Sequence, residues 1–212
     1  MNILAVGAHP DDVELGCFGS LLEKKAKGHN VYAVALAPGA YGNVSWEDIE
    51  AVWSLARAAL QSGPGKGDYL LGKFPIGRLN HDWSTVGFVD DLVKQYEIDT
   101  IISHHHGEAH QDHIATQRIA TSAARRNVDR FWLWESVIYT HRNVHPFNPQ
   151  LYVPLSRESF DGKKKILEAY VTAGLIEPLE VEAQHHLARY RGAELRREYA
   201  EAFEVVWDLR ES

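Results

Sequence analysis

Two short segments of this chain concentrate the residue types that hold metals and move protons. The first is Ala8-His9-Pro10-Asp11-Asp12, which closes an apolar run and opens a helical pattern. His9 and Asp12 are three apart, so both can turn towards a common point, while Asp11 between them faces another part of the same pocket. Imidazole nitrogen and carboxylate oxygen are suitable zinc ligands. The same two acids would serve equally as plain helix caps that favour the helix dipole. The second segment is Ser103-His104-His105-His106-Gly107-Glu108-Ala109-His110-Gln111-Asp112-His113, with five of the chain's twelve histidines in eleven positions. His110 and His113 repeat the three-residue spacing. Asp112 can accept a hydrogen bond from an imidazole, which fixes its tautomer and raises its basicity. Taken singly, His104, His105 and His106 read as polar loop residues.

Together the segments supply two histidines and a carboxylate for a metal. A fourth position is left open for water, as a catalytic zinc site requires, and Asp11 and His110 are spare for acid–base work. A closed structural zinc site is usually cysteine-rich, and Cys17 is the chain's one cysteine. Two histidines and one carboxylate would also accept Fe(II) or Co(II). A phosphate-cradling Gly-x-Gly-x-x-Gly turn after the first strand would instead mark a nucleotide-binding module, but Gly7-Ala8-His9-Pro10-Asp11-Asp12 stands there.

The elements that must position these residues alternate in type. Asn2–Gly7 is a short apolar run ending at glycine, as a buried parallel strand would. A helix is expected over Val13 to Lys27 and a second strand over Val31–Leu36. A helix follows over Trp46–Gln61 with Ser45 as its N-cap, then a strand over Tyr69–Leu71 and a helix over Phe88–Tyr96. Thr100–Ser103 reads as a strand, His113–Arg126 as a helix and Phe131–Glu135 as a strand. Pro146, Pro149 and Pro154 then mark a loop-rich section, followed by helices over Arg157–Ala173 and Leu179–Ala193 and a final strand over Phe203–Trp207. This alternation predicts an α/β, Rossmann-like, doubly wound and mostly parallel sheet, in one domain spanning 1–212. If the strand order is 3-2-1-4-5, strands one and four are neighbours where the order reverses. Both polar segments then lie at the C-terminal ends of those two strands, in one site.

Composition narrows the partners. The formal net charge is -7, and the cations are scattered apart from Lys163-Lys164-Lys165, which gives no support for nucleic-acid or anionic-membrane binding. No stretch approaches the roughly 20 apolar residues that span a bilayer. The start Met1-Asn2-Ile3-Leu4 lacks the basic region of a signal peptide, so a cytoplasmic enzyme acting on a small molecule is expected, with homo-oligomerisation open.

Ala8-His9-Pro10-Asp11-Asp12 with Glu14 and Gly16, followed by His110-Gln111-Asp112-His113, resembles the LmbE/PIG-L family of zinc-dependent N-deacetylases. The spacing from His104 to His113 is similar too. Fainter echoes at Gly77-Arg78-Leu79, Asn148-Pro149 and Tyr199 to Glu204 extend the likeness over nearly the whole chain. The resemblance implies one zinc per chain held by His9, Asp12 and His113, with Asp11 as general base. It implies a protonated His110 that steadies the tetrahedral oxyanion, with Asp112 supporting it. Acetate and a free amine would be released from an N-acetylated amino sugar or sugar conjugate. Ile76 stands where many members carry an acid, and Trp46-Glu47-Asp48 where many carry an arginine, so the substrate is less well indicated than the chemistry. Arg78, Trp46, Tyr41 and Glu108 are candidate substrate contacts, and Trp83 and Tyr139 could also stack on a sugar ring. A metal-dependent amidase or phosphoesterase acting on a non-sugar substrate would suit the same ligand set.

Overall fold

The computed structural model describes residues 1–40, 44–125, 127–137 and 145–209. The first strand is β1 (Asn2–Gly7), followed by α1 (Asp12–Gly16), α2 (Phe18–Ala26), β2 (Asn30–Ala35), α3 (Trp46–Gln61), β3 (Gly67–Leu71) and α4 (Trp83–Gln95). The second half is β4 (Thr100–His104), α5 (Gln111–Ala123), β5 (Arg130–Trp134), β6 (Leu151–Leu155), α6 (Arg157–Thr172), α7 (Pro178–Glu194) and β7 (Tyr199–Asp208). The strands form one sheet in the order β3-β2-β1-β4-β5-β7-β6. β1 to β5 run parallel, while β7 is antiparallel to both β5 and β6. The α/β, mostly parallel, doubly wound architecture is the expected one.

The sheet is a wall between two apolar layers. Ile3, Ala5, Val31 and Ala33 face a core shared with α2, α3 and α6, whereas Leu4, Val6, Tyr32 and Val34 face the layer beneath α4 and α5. Strands covered on both faces read as continuous apolar runs, which is why β1 and β2 are plain in the sequence. Ile3 to Val6 are completely buried, each larger side chain contributing about 1.5–3 kcal/mol of apolar burial.

Three departures from expectation have a local physical reason. The helix expected over Val13 to Lys27 is broken at Cys17, whose φ of -148° is not helical. The break lets Gly16 lie against the indole of Trp134: a Cβ there would come within 2.6 Å of the ring. Second, Leu151–Leu155 is a strand despite Pro154. β6 is the sheet edge, where a residue without an N–H does no harm, so the proline marks an edge and not a loop. Third, α4 begins at Trp83, five residues ahead of Phe88, because Asp82 closes a capping box with Thr85. Among the described residues no helix is long and apolar enough to cross a membrane.

Candidate active site

β1 and β4 are paired neighbours, with Val6 opposite Ser103, and the order reverses between them. Their C-terminal ends therefore feed two loops into one crevice. The Ser103 hydroxyl donates to the Val6 carbonyl at 2.9 Å and ties the strand ends together. The crevice is a cavity of about 350 Å³ whose lining includes His9, Asp11, Asp12, His104, His110 and His113. That volume suits a small-molecule site.

Asp12 is the hub. Its Oδ2 accepts the backbone N–H groups of Ala8 (2.9 Å) and His9 (2.7 Å), which folds the turn so that Oδ1 faces His113 Nε2 at 3.1 Å. His9 Nδ1 lies 3.6 Å from Asp12 Oδ2, while its Nε2 is 3.1 Å from Asp112 Oδ2. His113 is held the same way, its Nδ1 against the Glu108 carboxylate at 2.5 Å. When each carboxylate accepts the N–H of the nearer ring nitrogen, His9 Nδ1 and His113 Nε2 are left as bare lone pairs, each beside a different oxygen of the Asp12 carboxylate. Carboxylate-backed histidines of this kind are the usual support of a metal. This donor set therefore fits a divalent ion. Two groupings close enough to hold a metal are His9 with His110 and His113, and Asp12 with His104 and His113; His113 is common to both, and His9 and Asp12 fall one in each.

The electrostatics agree. Burial penalises the Asp12 carboxylate, but the imidazoles of His113 and His104 outweigh it and hold the pKa well below the usual range. Burial likewise opposes charge on His113, yet Asp12 and Glu108 together lift its pKa to about 10. A cation bound at Nε2 would take the place of that proton.

His110 caps α5: its Nδ1 accepts the Asp112 backbone N–H at 3.2 Å. The ring proton of the neutral form is therefore on Nε2. Burial, with His113 and His9 nearby, pushes its pKa below the ordinary value. That direction favours a neutral N–H donor, whereas the resemblance implies an imidazolium. The Asp112 carboxylate acts on His110 through its charge, which favours the imidazolium, and not through a hydrogen bond. It accepts from Gly77 N–H (2.6 Å) and Leu79 N–H (3.2 Å) while it holds His9. Gly77, with φ +71°, makes the turn that presents this N–H.

The substrate candidates are scattered. Glu108 is among the residues lining the cavity, is 1% exposed, and has its carboxylate engaged by His104 and His113, whose rings it orients. Arg78 is exposed and is not among the residues lining the cavity. Trp46, the first residue of α3, packs against the core, and Trp83 stands 87% exposed at the start of α4. Tyr41 and Tyr139 lie outside the described residues. His105 and His106 turn to Glu204 on β7, at 3.3 and 3.7 Å.

Two buried residues that the resemblance includes without a role gain one here. His104 stacks on His113 with centroids 4.1 Å apart and reaches within 3.3 Å of Asp12 Oδ2. Glu14 accepts from the hydroxyls of Tyr69 (3.1 Å) and Tyr170 (2.8 Å), which pins α1 to β3 and α6. Burial raises its pKa to about 7. Ionised Glu14 is thus disfavoured in the fold, and stability present below pH 4.5 is lost as pH rises through about 7. Between those limits the parent chain is expected to lose about 3 kcal/mol relative to Glu14→Gln, which keeps partners for both hydroxyls and does not titrate. Urea unfolding of both chains, chelated, at pH 4.5 and pH 8 measures this difference. Parallel pH profiles would show that Glu14 is not the titrating group.

A doubly wound sheet with a buried histidine–carboxylate cluster at its switch point is the frame of a metal-dependent hydrolase. The family described as PIG-L, GlcNAc-PI de-N-acetylase, matches residues 4–124, and the chain belongs to it. An uncharacterised deacetylase of Escherichia coli K12, YaiS, is 28% identical over 182 residues, covering 80% of this chain and 90% of that protein. Among solved structures, the conserved protein TT1542 of Thermus thermophilus superposes with a TM-score of 0.84 at 25% identity, over 100% of this chain and 97% of that one. At 16% identity the fold recurs in two further enzymes. The 4-carboxy-2-hydroxymuconate hydratase GalB of Pseudomonas putida gives 0.77 over 100% and 98% of the two chains. The N,N'-diacetylchitobiose deacetylase of Pyrococcus horikoshii gives 0.71 over 97% and 83%. The chain is a hydrolytic N-deacetylase.

Proposed function

We propose that the enzyme is a zinc-dependent N-deacetylase that acts on an N-acetylated amino sugar or sugar conjugate, with His9, Asp12 and His113 as the metal ligands. The observation that carries the ligand assignment is the pair of carboxylate-backed imidazoles, His9 on Asp112 and His113 on Glu108, meeting at Asp12. The family description and the diacetylchitobiose deacetylase support the sugar. Bound there, zinc would supply Lewis acidity towards the acyl carbonyl and make water more acidic.

The chain's own residues do the rest. Asp11 lines the cavity beside the ligands and takes the proton of the attacking water. As the carbonyl oxygen gains charge, His110 donates its Nε2–H to it, at little reorganisation cost because backbone N–H and burial have already set its tautomer. Asp11 then passes its proton to the departing nitrogen, and acetate and a free amine leave.

The decisive experiment is acetate release from a panel of N-acetylated sugars, sugar conjugates, simple amides and phosphate esters, with and without zinc. Acetate from sugars alone, lost on chelation, is the expected result; turnover confined to simple amides or phosphate esters would replace the sugar reading. Protein purified without chelator should carry roughly one zinc per chain, and His113→Ala should lose most of it by elemental analysis. His29, His145 and His186, none of them in the cavity lining, serve as controls. Normal zinc content in His113→Ala would remove His113 from the ligand set.

A further inference from the structure

Facing the ligand cluster, the far wall of the cavity comes from α7 and the turn before it. That wall is apolar where Leu175 and Ile176 contribute, and polar at two positions, Glu180 and Gln184. The two are one helical turn apart, on one face of α7. Gln184 is only 7% exposed, yet its amide is not among the sealed-off groups that lack a partner, so it keeps an opening where it lines the cavity. A primary amide brings two donors and an acceptor, and covering it with a ligand that supplies no partners is costly. Lys163 is satisfied by Glu201 and the Leu15 carbonyl, and Arg191 by Glu135 and Glu194, so the adjoining polar groups are already committed. What remains to satisfy Gln184 is whatever fills the cavity.

We propose that Glu180 and Gln184 are the specificity-determining pair, binding hydroxyl groups of a sugar ring that carries no negative charge. This rests on the sugar reading above. A carboxylate beside an amide accepts from one hydroxyl while the amide donates to and accepts from its neighbours, a match for vicinal hydroxyls. A phosphate or carboxylate on the substrate would instead meet the Glu180 charge. Burial, and Glu177 close by, already disfavour that charge, which raises the Glu180 pKa. A second anion at short range would disfavour it further.

The test compares the parent enzyme with Gln184→Met, which keeps length without polarity, and Glu180→Gln, at a half-buried position that tolerates change. Substrates are N-acetylglucosamine, its 6-phosphate, and a simple N-acetyl amine, all with zinc present. Both variants are expected to raise KM for N-acetylglucosamine about 3–10-fold, the loss of one or two hydrogen bonds, with kcat nearly unchanged. Neither should change KM for the simple amine. Glu180→Gln should also narrow the preference for the neutral sugar over the phosphate. An unchanged KM for N-acetylglucosamine in both variants, or an equal rise for the simple amine, would overturn the pair's role. A parent enzyme that hydrolyses only the simple amine would instead remove the sugar reading itself. Zinc content and melting temperature, measured alongside, separate a binding defect from misfolding.

Discussion

Asp11→Asn is expected to bind zinc and substrate like the parent and to release acetate at least ~10²-fold more slowly, within the ~10²–10⁴ range of lost general-base catalysis. Asparagine keeps the size and one oxygen but cannot accept the water's proton. The structure adds a physical signature. Asp11 has φ 149° and ψ -29°, a backbone conformation that side chains rarely adopt, and it forms the N-cap of α1 without a side-chain cap hydrogen bond. Strain of this kind costs on the order of 1–3 kcal/mol and persists where the surroundings impose it, often at active sites. Glycine adopts such angles freely. Asp11→Gly is therefore expected to be inactive yet more stable, by about 1 kcal/mol in urea unfolding. Asp12→Asn should behave in the opposite sense. It weakens zinc binding and the turn that Ala8 and His9 N–H groups fold around Oδ2, and added zinc should recover part of its activity. Rescue of the position 11 variant by zinc, with none at position 12, would exchange the two roles.

The second large effect belongs to His110. Truncation to alanine should leave zinc content and KM near the parent's and lower kcat by about 10²–10³-fold, since an oxyanion donor acts on charge that exists only in the transition state. The neutral tautomer sharpens this. An imidazolium donor would lose activity as pH rises through an ordinary histidine pKa near 6.5, whereas burial and the histidine neighbours lower the His110 pKa and favour the neutral ring. Its donor should survive across neutral and mildly alkaline pH. A kcat limb that falls between about pH 6 and 8 in the parent and disappears in His110→Ala would establish the charged donor instead. Loss of zinc from His110→Ala would make it a ligand, consistent with its proximity to His9 and His113.

What was legible in the sequence was local or periodic. Apolar runs covered on both faces marked β1, β2, β4 and β5, and their alternation with helices implied the parallel order. The Ser45 cap of α3 was visible, and its side chain accepts the Asp48 N–H as expected. The His9–Asp12 and His110–His113 spacings showed which residues could share a point, because a turn brings positions three apart together whatever lies around it. Tertiary structure alone decided what backs each ring. Asp112 faces His9 from 103 positions away and anchors the Gly77 turn, so its partner could not be read from its neighbour His110. Glu108 serves His104 and His113 inside the site because β4 buries that loop against Trp134, where a local reading expected substrate. β6 was hidden by Pro154, since only pairing shows that a strand is an edge. Glu180 and Gln184 carried no motif: they reach the cavity only because β6 and β7 extend the sheet past β5 and α7 packs over β7, folding the last third of the chain back over the site formed by the first half. Spacing encodes what one turn or one helix face brings together; contacts across the sheet depend on how all its strands are ordered, and no short stretch of residues carries that order.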